Sequence, residues 1–225
     1  MTEPITPSPQ PAPTSAPAAK PGAADNSALG VVWELVQTVV LALVIFLIIR
    51  NVVANFRIDG ISMEPNFQNR EFLIVNRFSY CPGLHLDINP VNLHFNKTWC
   101  FWQPKRGDVV VFEYPRDISR DFIKRVIGLP GDQVEVRAGK VYINGEQIAE
   151  PYGPNPGSYS AAPVTIGTDE YYVMGDNRNN SADSHIWGPL PLKNIIGKAF
   201  LSYWPPSNWA IIPTYNLPGP GSGSE

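Results

Sequence analysis

Residues 122–132 read Phe-Ile-Lys-Arg-Val-Ile-Gly-Leu-Pro-Gly-Asp, and the first six decide the fold class. Written as a strand, Phe122, Lys124 and Val126 share one face while Ile123, Arg125 and Ile127 share the other, as a period of two requires. The neighbouring segments agree. Gln133–Arg137 and Lys140–Ile143 flank Ala138–Gly139, which reads as a hairpin turn, and Asn144–Gly145 follows as a second turn signal. Further out, Glu71–Val75, Asp108–Phe112 and Tyr171–Met174 read as short strands, and Ile195–Trp204 as a closing strand. Residues 150–164, rich in Pro, Gly and Ser, read as a loop. The expected fold class is mainly β, one domain over residues 51–213.

Upstream of that domain the pattern changes. Val31–Ile49 reads VVWELVQTVVLALVIFLII, interrupted only by Glu34 and Gln37. As a helix it spans about 28 Å, close to the roughly 30 Å hydrocarbon core of a bilayer. A long, barely basic n-region and the lack of a small-residue cleavage pattern after Arg50 argue against a cleaved signal peptide. A transmembrane helix over 29–50 is expected. Residues 1–28 hold seven of the 24 prolines and few large apolar side chains, so they bury too little surface to offset ordering and are expected to be disordered. The Pro/Gly/Ser-rich end, 214–225, is expected to be a flexible tail.

Composition excludes some function classes. The 17 basic and 20 acidic residues leave a formal net charge of −3, without the basic excess of a nucleic-acid binder. His85, His94 and His185 lack the close spacing of a zinc signature, and no cofactor is expected. Cys81 and Cys100 lie in an irregular, aromatic-rich segment with Trp99 and Trp102. They are either a disulfide, which needs an oxidising compartment, or two unpaired buried thiols.

Ser62 lies in Asp59-Gly60-Ile61-Ser62-Met63-Glu64-Pro65, shortly after the apolar helix. Gly60 permits an unusual backbone angle or close substrate approach, and Pro65 fixes the chain beyond it. A serine nucleophile needs a base, and no histidine here has the context of a triad member. Lys124 sits on an apolar strand face, where burial depresses an amine's pKa and makes it a competent base. The alternative is a lysine whose stem packs while its head reaches water. The dense polar run Gly175–His185 is either a surface loop or a hydrogen-bonding platform. In the second case Ser181 holds the Lys124 amine and Asp183 pairs with a nearby cation.

Read together, these segments resemble the type I signal peptidases of bacteria, cyanobacteria and plastids. The resemblance rests on four ordered boxes: Ser62-Met63-Glu64-Pro65, Lys105–Phe112, Lys124–Asp132 and Gly175–Ser184. It implies a β-rich peptidase domain in which Ser62 attacks the scissile carbonyl and neutral Lys124 takes its proton. It also implies that Ser181 orients the lysine, that Asp183 is a structural carboxylate, and that Gly60 stands where some members carry a hydroxyl donor. Substrates are then signal-peptide-bearing preproteins cut after small residues, with Ile61, Met63 and Phe67 as candidate pocket residues. Membrane lipid and translocation machinery are the other expected partners.

The resemblance places the catalytic domain on the extracytoplasmic side, periplasmic or thylakoid-lumenal. The sparse Lys/Arg count leans the other way, but that rule is weak for long folded domains. Three features depart from the family pattern. Asn66 stands where threonine is usual. His185 stands where arginine is usual, which predicts a loop that loosens as the imidazole deprotonates. The insert at 80–103 is longer than in the short form of the family. Other readings stay open: a Ser/Lys protease with another substrate, a catalytically dead binding module, and a scaffold using the proline-rich tail.

Overall fold

The structure, a computed structural model, describes residues 28–80, 83–88, 93–98, 102–215 and 217. The expected disorder of the N-terminal tail and the pairing of Cys81 with Cys100 lie outside the described residues, as do residues 218–225. Two compact units are distinguished, residues 1–44 and 45–225. Helix α1, Ala28–Val52, carries a stretch from Gly30 to Val52 with mean hydropathy 2.5 that is long and apolar enough to cross a membrane. Trp33, Leu35, Leu41 and Phe46 all stand exposed along it. A helix that is apolar all round, with none of its most apolar stretch buried among the described residues, is matched to a lipid environment.

The strands follow in chain order: β1 Val53–Arg57, β2 Phe72–Asn76, β3 Gly83–Ile88, β4 Leu93–Thr98, β5 Val109–Tyr114, β6 Asp117–Gly128 and β7 Gln133–Arg137. After them come β8 Lys140–Ile143, β9 Glu146–Gln147, β10 Ala161–Thr165, β11 Glu170–Met174, β12 Leu190–Pro191, β13 Ile195–Trp204 and β14 Ala210–Ile211. The main sheet has the order β1-β2-β13-β5-β6-β11-β12, with β14 on β13. Its alternation is real: Val109, Val111 and Ile123 join one apolar cluster with Met63, Leu73 and Val75, while Val110, Phe112 and Val126 join another with Tyr171 and Leu190. Both faces of the sheet are therefore covered, and β6 is buried from Lys124 onward.

A second sheet, β10-β7-β8-β9, packs Val134, Val136, Val141 and Ile143 into a third cluster with Ile127 and Tyr172. The β7–β8 turn is Ala138–Gly139, with φ of 47° and 78°. Two successive left-handed residues match the twist of a tight hairpin, and glycine takes that conformation without strain.

Three expectations change. The segment expected as loop over 150–164 contributes most of β10, because Ala161 and Val164 pack on the third cluster and pair with β7 across a bulge. The expected irregular segment after residue 80 contains the β3–β4 hairpin, in register from Gly83↔Thr98 to Ile88↔Leu93. The C-terminal segment is not loose at its start: Leu217 is buried and Tyr215 packs on the third cluster. Ile195–Trp204 is a strand as expected, but it lies inside the main sheet between β2 and β5.

Candidate active site

Ser62 sits in the connection between β1 and β2. The ends of this excursion are tied by Ile58 N–H to Glu71 O at 2.8 Å and Arg70 N–H to Ile58 O at 2.8 Å. Gly60 has φ 114° and donates its N–H to Asn69 Oδ1 at 3.0 Å. Beyond Ser62 the chain turns inward. Met63 is fully buried and Phe67 nearly so, both within the apolar cluster of Leu73, Val75 and Val109. The expectation that they line the substrate pocket is corrected: neither borders the cavity beside Ser62, and they are the pegs that fix the serine turn in the core. Ile61, by contrast, is 45% exposed and lines a cavity of about 550 Å3 together with Phe56, Leu73, Val111, Phe122 and Ala182. Ser62, Gly60 and Lys124 border the same cavity, and so do the polar Arg120, Asp121 and Asn180.

β6 carries Lys124 to this place. Its Nζ lies 2.7 Å from Ser62 Oγ and donates to Ile123 O at 2.8 Å. Only 4% of the residue is exposed. Burial pushes its pKa from 10.5 down to about 8, against the opposite pull of the Asp183 and Asp176 carboxylates. An amine so placed is neutral in about one tenth of molecules at pH 7 and in about half near pH 8, and that form can accept a proton from the hydroxyl it touches.

The polar run after β11 forms the third wall. Gly175 is a contact point: a Cβ there would overlap both Ser181 Oγ and the Ser62 carbonyl oxygen. Ser181 Oγ is buried and makes no hydrogen bond among the described residues, so the expected bond to the Lys124 amine is not formed here. Asp183 is fully buried, accepts from Gly175 N–H at 2.9 Å and caps the short helix α2, Ser184–Trp187. Its Oδ1 lies 2.6 Å from His185 Nδ1, and the imidazole stacks on Tyr159 with centroids 4.1 Å apart. Asp183 and His185 therefore meet, which makes the imidazole the neighbour of the carboxylate in this loop.

Several residues here were given no role in the sequence. Asp176 makes a bidentate pair with Arg125, at 2.9 and 2.7 Å, with both side chains buried. Arg125 also donates to Gly107 O at 3.0 Å and lies over the Tyr152 ring, so the buried charge has a full set of partners. Asn66 donates to Asp176 Oδ2 at 2.9 Å, which ties the serine turn to that pair. Asn177 donates from its backbone to Ser62 O at 3.0 Å and from Nδ2 to Ile61 O at 3.1 Å. Arg178 is buried against Glu150 and Tyr152 and anchors the loop to the segment before β10. Arg106 pairs with Asp132 at 2.9 Å, joining two of the four boxes. Among the described residues no group of three or more His, Cys, Asp or Glu side chains is placed to hold a metal ion.

Comparison with known proteins supplies the remaining findings. A family model described as signal peptidase, peptidase S26, matches residues 32–204. The chain is 40% identical over 163 residues to probable signal peptidase I-2 of Synechocystis sp., a match covering 69% of this chain and 66% of that relative. It is 41% identical over 165 residues to signal peptidase I of Leptolyngbya laminosa, covering 69% of this chain and 71% of the relative. Over 120 residues it is 41% identical to thylakoidal processing peptidase 1 of Arabidopsis thaliana, covering 49% of this chain and 35% of the relative.

Proposed function

The chain belongs to the signal peptidase family, peptidase S26, serine endopeptidases that remove signal peptides, and on that premise we propose that Ser62 and Lys124 do the cutting. The observation that carries this is the 2.7 Å separation of Ser62 Oγ from the amine of a buried lysine. In the first step the Ser62 hydroxyl gives its proton to neutral Lys124 Nζ as Oγ bonds to the scissile carbonyl carbon. The carbonyl oxygen becomes an oxyanion, which the Ser62 backbone N–H is suited to receive. Collapse breaks the C–N bond, and the Lys124 ammonium returns the proton to the leaving amine. Water, deprotonated by the same lysine, then hydrolyses the acyl-enzyme and frees the serine.

The substrate is a preprotein whose cleavage point follows small residues. Ile61 and Ala182, apolar residues in the wall of the cavity beside Ser62, support that preference. The apolar helix and the membrane-processing relatives support a single-pass membrane protein. Its catalytic unit then faces the extracytoplasmic side, lipid surrounds α1, and the translocation machinery delivers the substrate. Cleavage of a model precursor in detergent by wild type, Ser62→Ala and Lys124→Ala tests the core of this proposal. Both variants should lose at least about 1,000-fold in rate, the scale on which a nucleophile or its base is missed. Wild-type rates in both would overturn it.

A further inference from the structure

Asn177 holds the peptide unit that carries the oxyanion donor. The Ile61 carbonyl accepts from Asn177 Nδ2 at 3.1 Å and from Glu64 N–H at 3.2 Å. The Ser62 carbonyl accepts from Asn177 N–H at 3.0 Å. Asn177 thus grips the carbonyls on either side of the nucleophile, and it is itself buried, 6% exposed. The Ile61–Ser62 bond is trans, as it is not among the cis peptides. In a trans unit C=O and N–H point in opposite directions. Pinning the Ile61 oxygen on the Asn177 side therefore turns the Ser62 N–H to the other side. That N–H makes no hydrogen bond among the described residues. The orientation of the gripping amide is in turn set: Asn177 Oδ1 accepts from Asn180 Nδ2 at 3.0 Å, which leaves Nδ2 facing Ile61. Gly60, beside this unit, has no side chain to add a donor.

We propose that Asn177 is a positioning residue that aims the Ser62 N–H at the developing oxyanion, with Asn180 fixing the orientation of its amide. The inference rests on Ser62 being the nucleophile. A donor aimed before reaction stabilises charge that exists only in the transition state, so its loss falls on kcat and spares KM.

The test uses the full chain in detergent micelles with a model precursor peptide, comparing wild type, Asn177→Ala, Asn177→Asp, Asn180→Ala and Ser62→Ala. Asn177→Ala and Asn177→Asp should lower kcat about 10- to 100-fold, with KM within about threefold of wild type. Affinity for a peptide aldehyde, which forms a tetrahedral adduct on the serine, should fall by the same factor. Affinity for the matching unreactive peptide should hold, as should the midpoint of the pH–rate profile in Asn177→Ala, which adds no charge beside Lys124. Asn180→Ala, at an exposed residue, should show a smaller loss of the same kind. Wild-type kcat in Asn177→Ala would overturn the proposal, as would equal losses of aldehyde and unreactive peptide affinity. If the Asn177 variants do not fold, Asn180→Ala decides: unchanged kcat there overturns it. An active wild type beside an inactive Ser62→Ala keeps the assignment of the nucleophile separate from this outcome.

Discussion

Lys124 spends folding free energy to hold an uncharged amine where the serine needs one. The drop from 10.5 to about 8 sets the sign of its pH dependence. Below that value the amine is protonated and cannot accept; above it the base form dominates. With a pKa of about 8 the neutral fraction is about one tenth at pH 7 and nine tenths at pH 9, so kcat/KM should rise roughly tenfold across that interval. A peptide substrate without groups titrating there isolates the effect. A profile flat from pH 6 to 9, or one rising only near pH 10, would remove Lys124 as the base. The sequence disclosed Lys124 through its box and its place on an apolar strand face. It was misleading about Met63 and Phe67, since large apolar residues beside a nucleophile are as suited to anchoring a turn as to lining a pocket. What separates the two roles is that neither side chain borders the cavity beside Ser62. Asn177 was invisible for a different reason: its contacts with Ile61 and Ser62 cross more than 100 positions of chain, and an asparagine in a polar loop carries no pattern of its own.

Among the elements, the loop after β11 is held to the serine turn by close backbone approach as well as by hydrogen bonds. Gly175 is where the two touch, and a side chain there would overlap the Ser62 carbonyl and Ser181. Backbone cannot yield as a flexible side chain can. Gly175→Ala should therefore cost about 1–3 kcal/mol of stability, a fall of several degrees in Tm for a domain this size. It should also lower kcat at least about tenfold by displacing the nucleophile. Unchanged Tm and kcat would show that the contact is slack. Local chemistry made the β7–β8 hairpin legible, since Ala138–Gly139 divides two alternating runs. The β3–β4 hairpin was legible too, in the alternation of Leu84, Leu86 and Ile88, but the surrounding aromatics and prolines hid it. β10 was obscured by Pro163 and its flanking glycines and serines, and it exists because an apolar edge of the small sheet accepts it.

For the whole molecule, α1 and the β-rich unit ask for different solvents. The helix exposes its apolar side chains, whereas the catalytic groups lie wholly within residues 45–225. Removing residues 1–50 should leave cleavage of a short soluble peptide in detergent within about threefold of wild type, because no group that touches the reaction is lost. Cleavage of a precursor embedded in lipid vesicles should fall at least about tenfold, as the enzyme no longer shares a surface with its substrate. Equal losses on both substrates would mean that the helix supports the fold itself. Length and hydropathy made this division plain in the sequence, whereas the strand order of the main sheet was not readable, because pairings between distant strands are settled by packing.

That strand order has a bearing on when the enzyme can exist during its own synthesis. β13 joins β2 to β5, so in the main sheet the half that bears Ser62 and the half that bears Lys124 meet only through a strand that follows both in the chain, Ile195–Trp204. A growing chain displays its serine first and its lysine later, yet lacks the strand that brings them into one sheet until β13 follows both. Assembly of the Ser62–Lys124 pair within one sheet is thereby deferred by topology alone, until a strand made after both residues takes its place between their two halves.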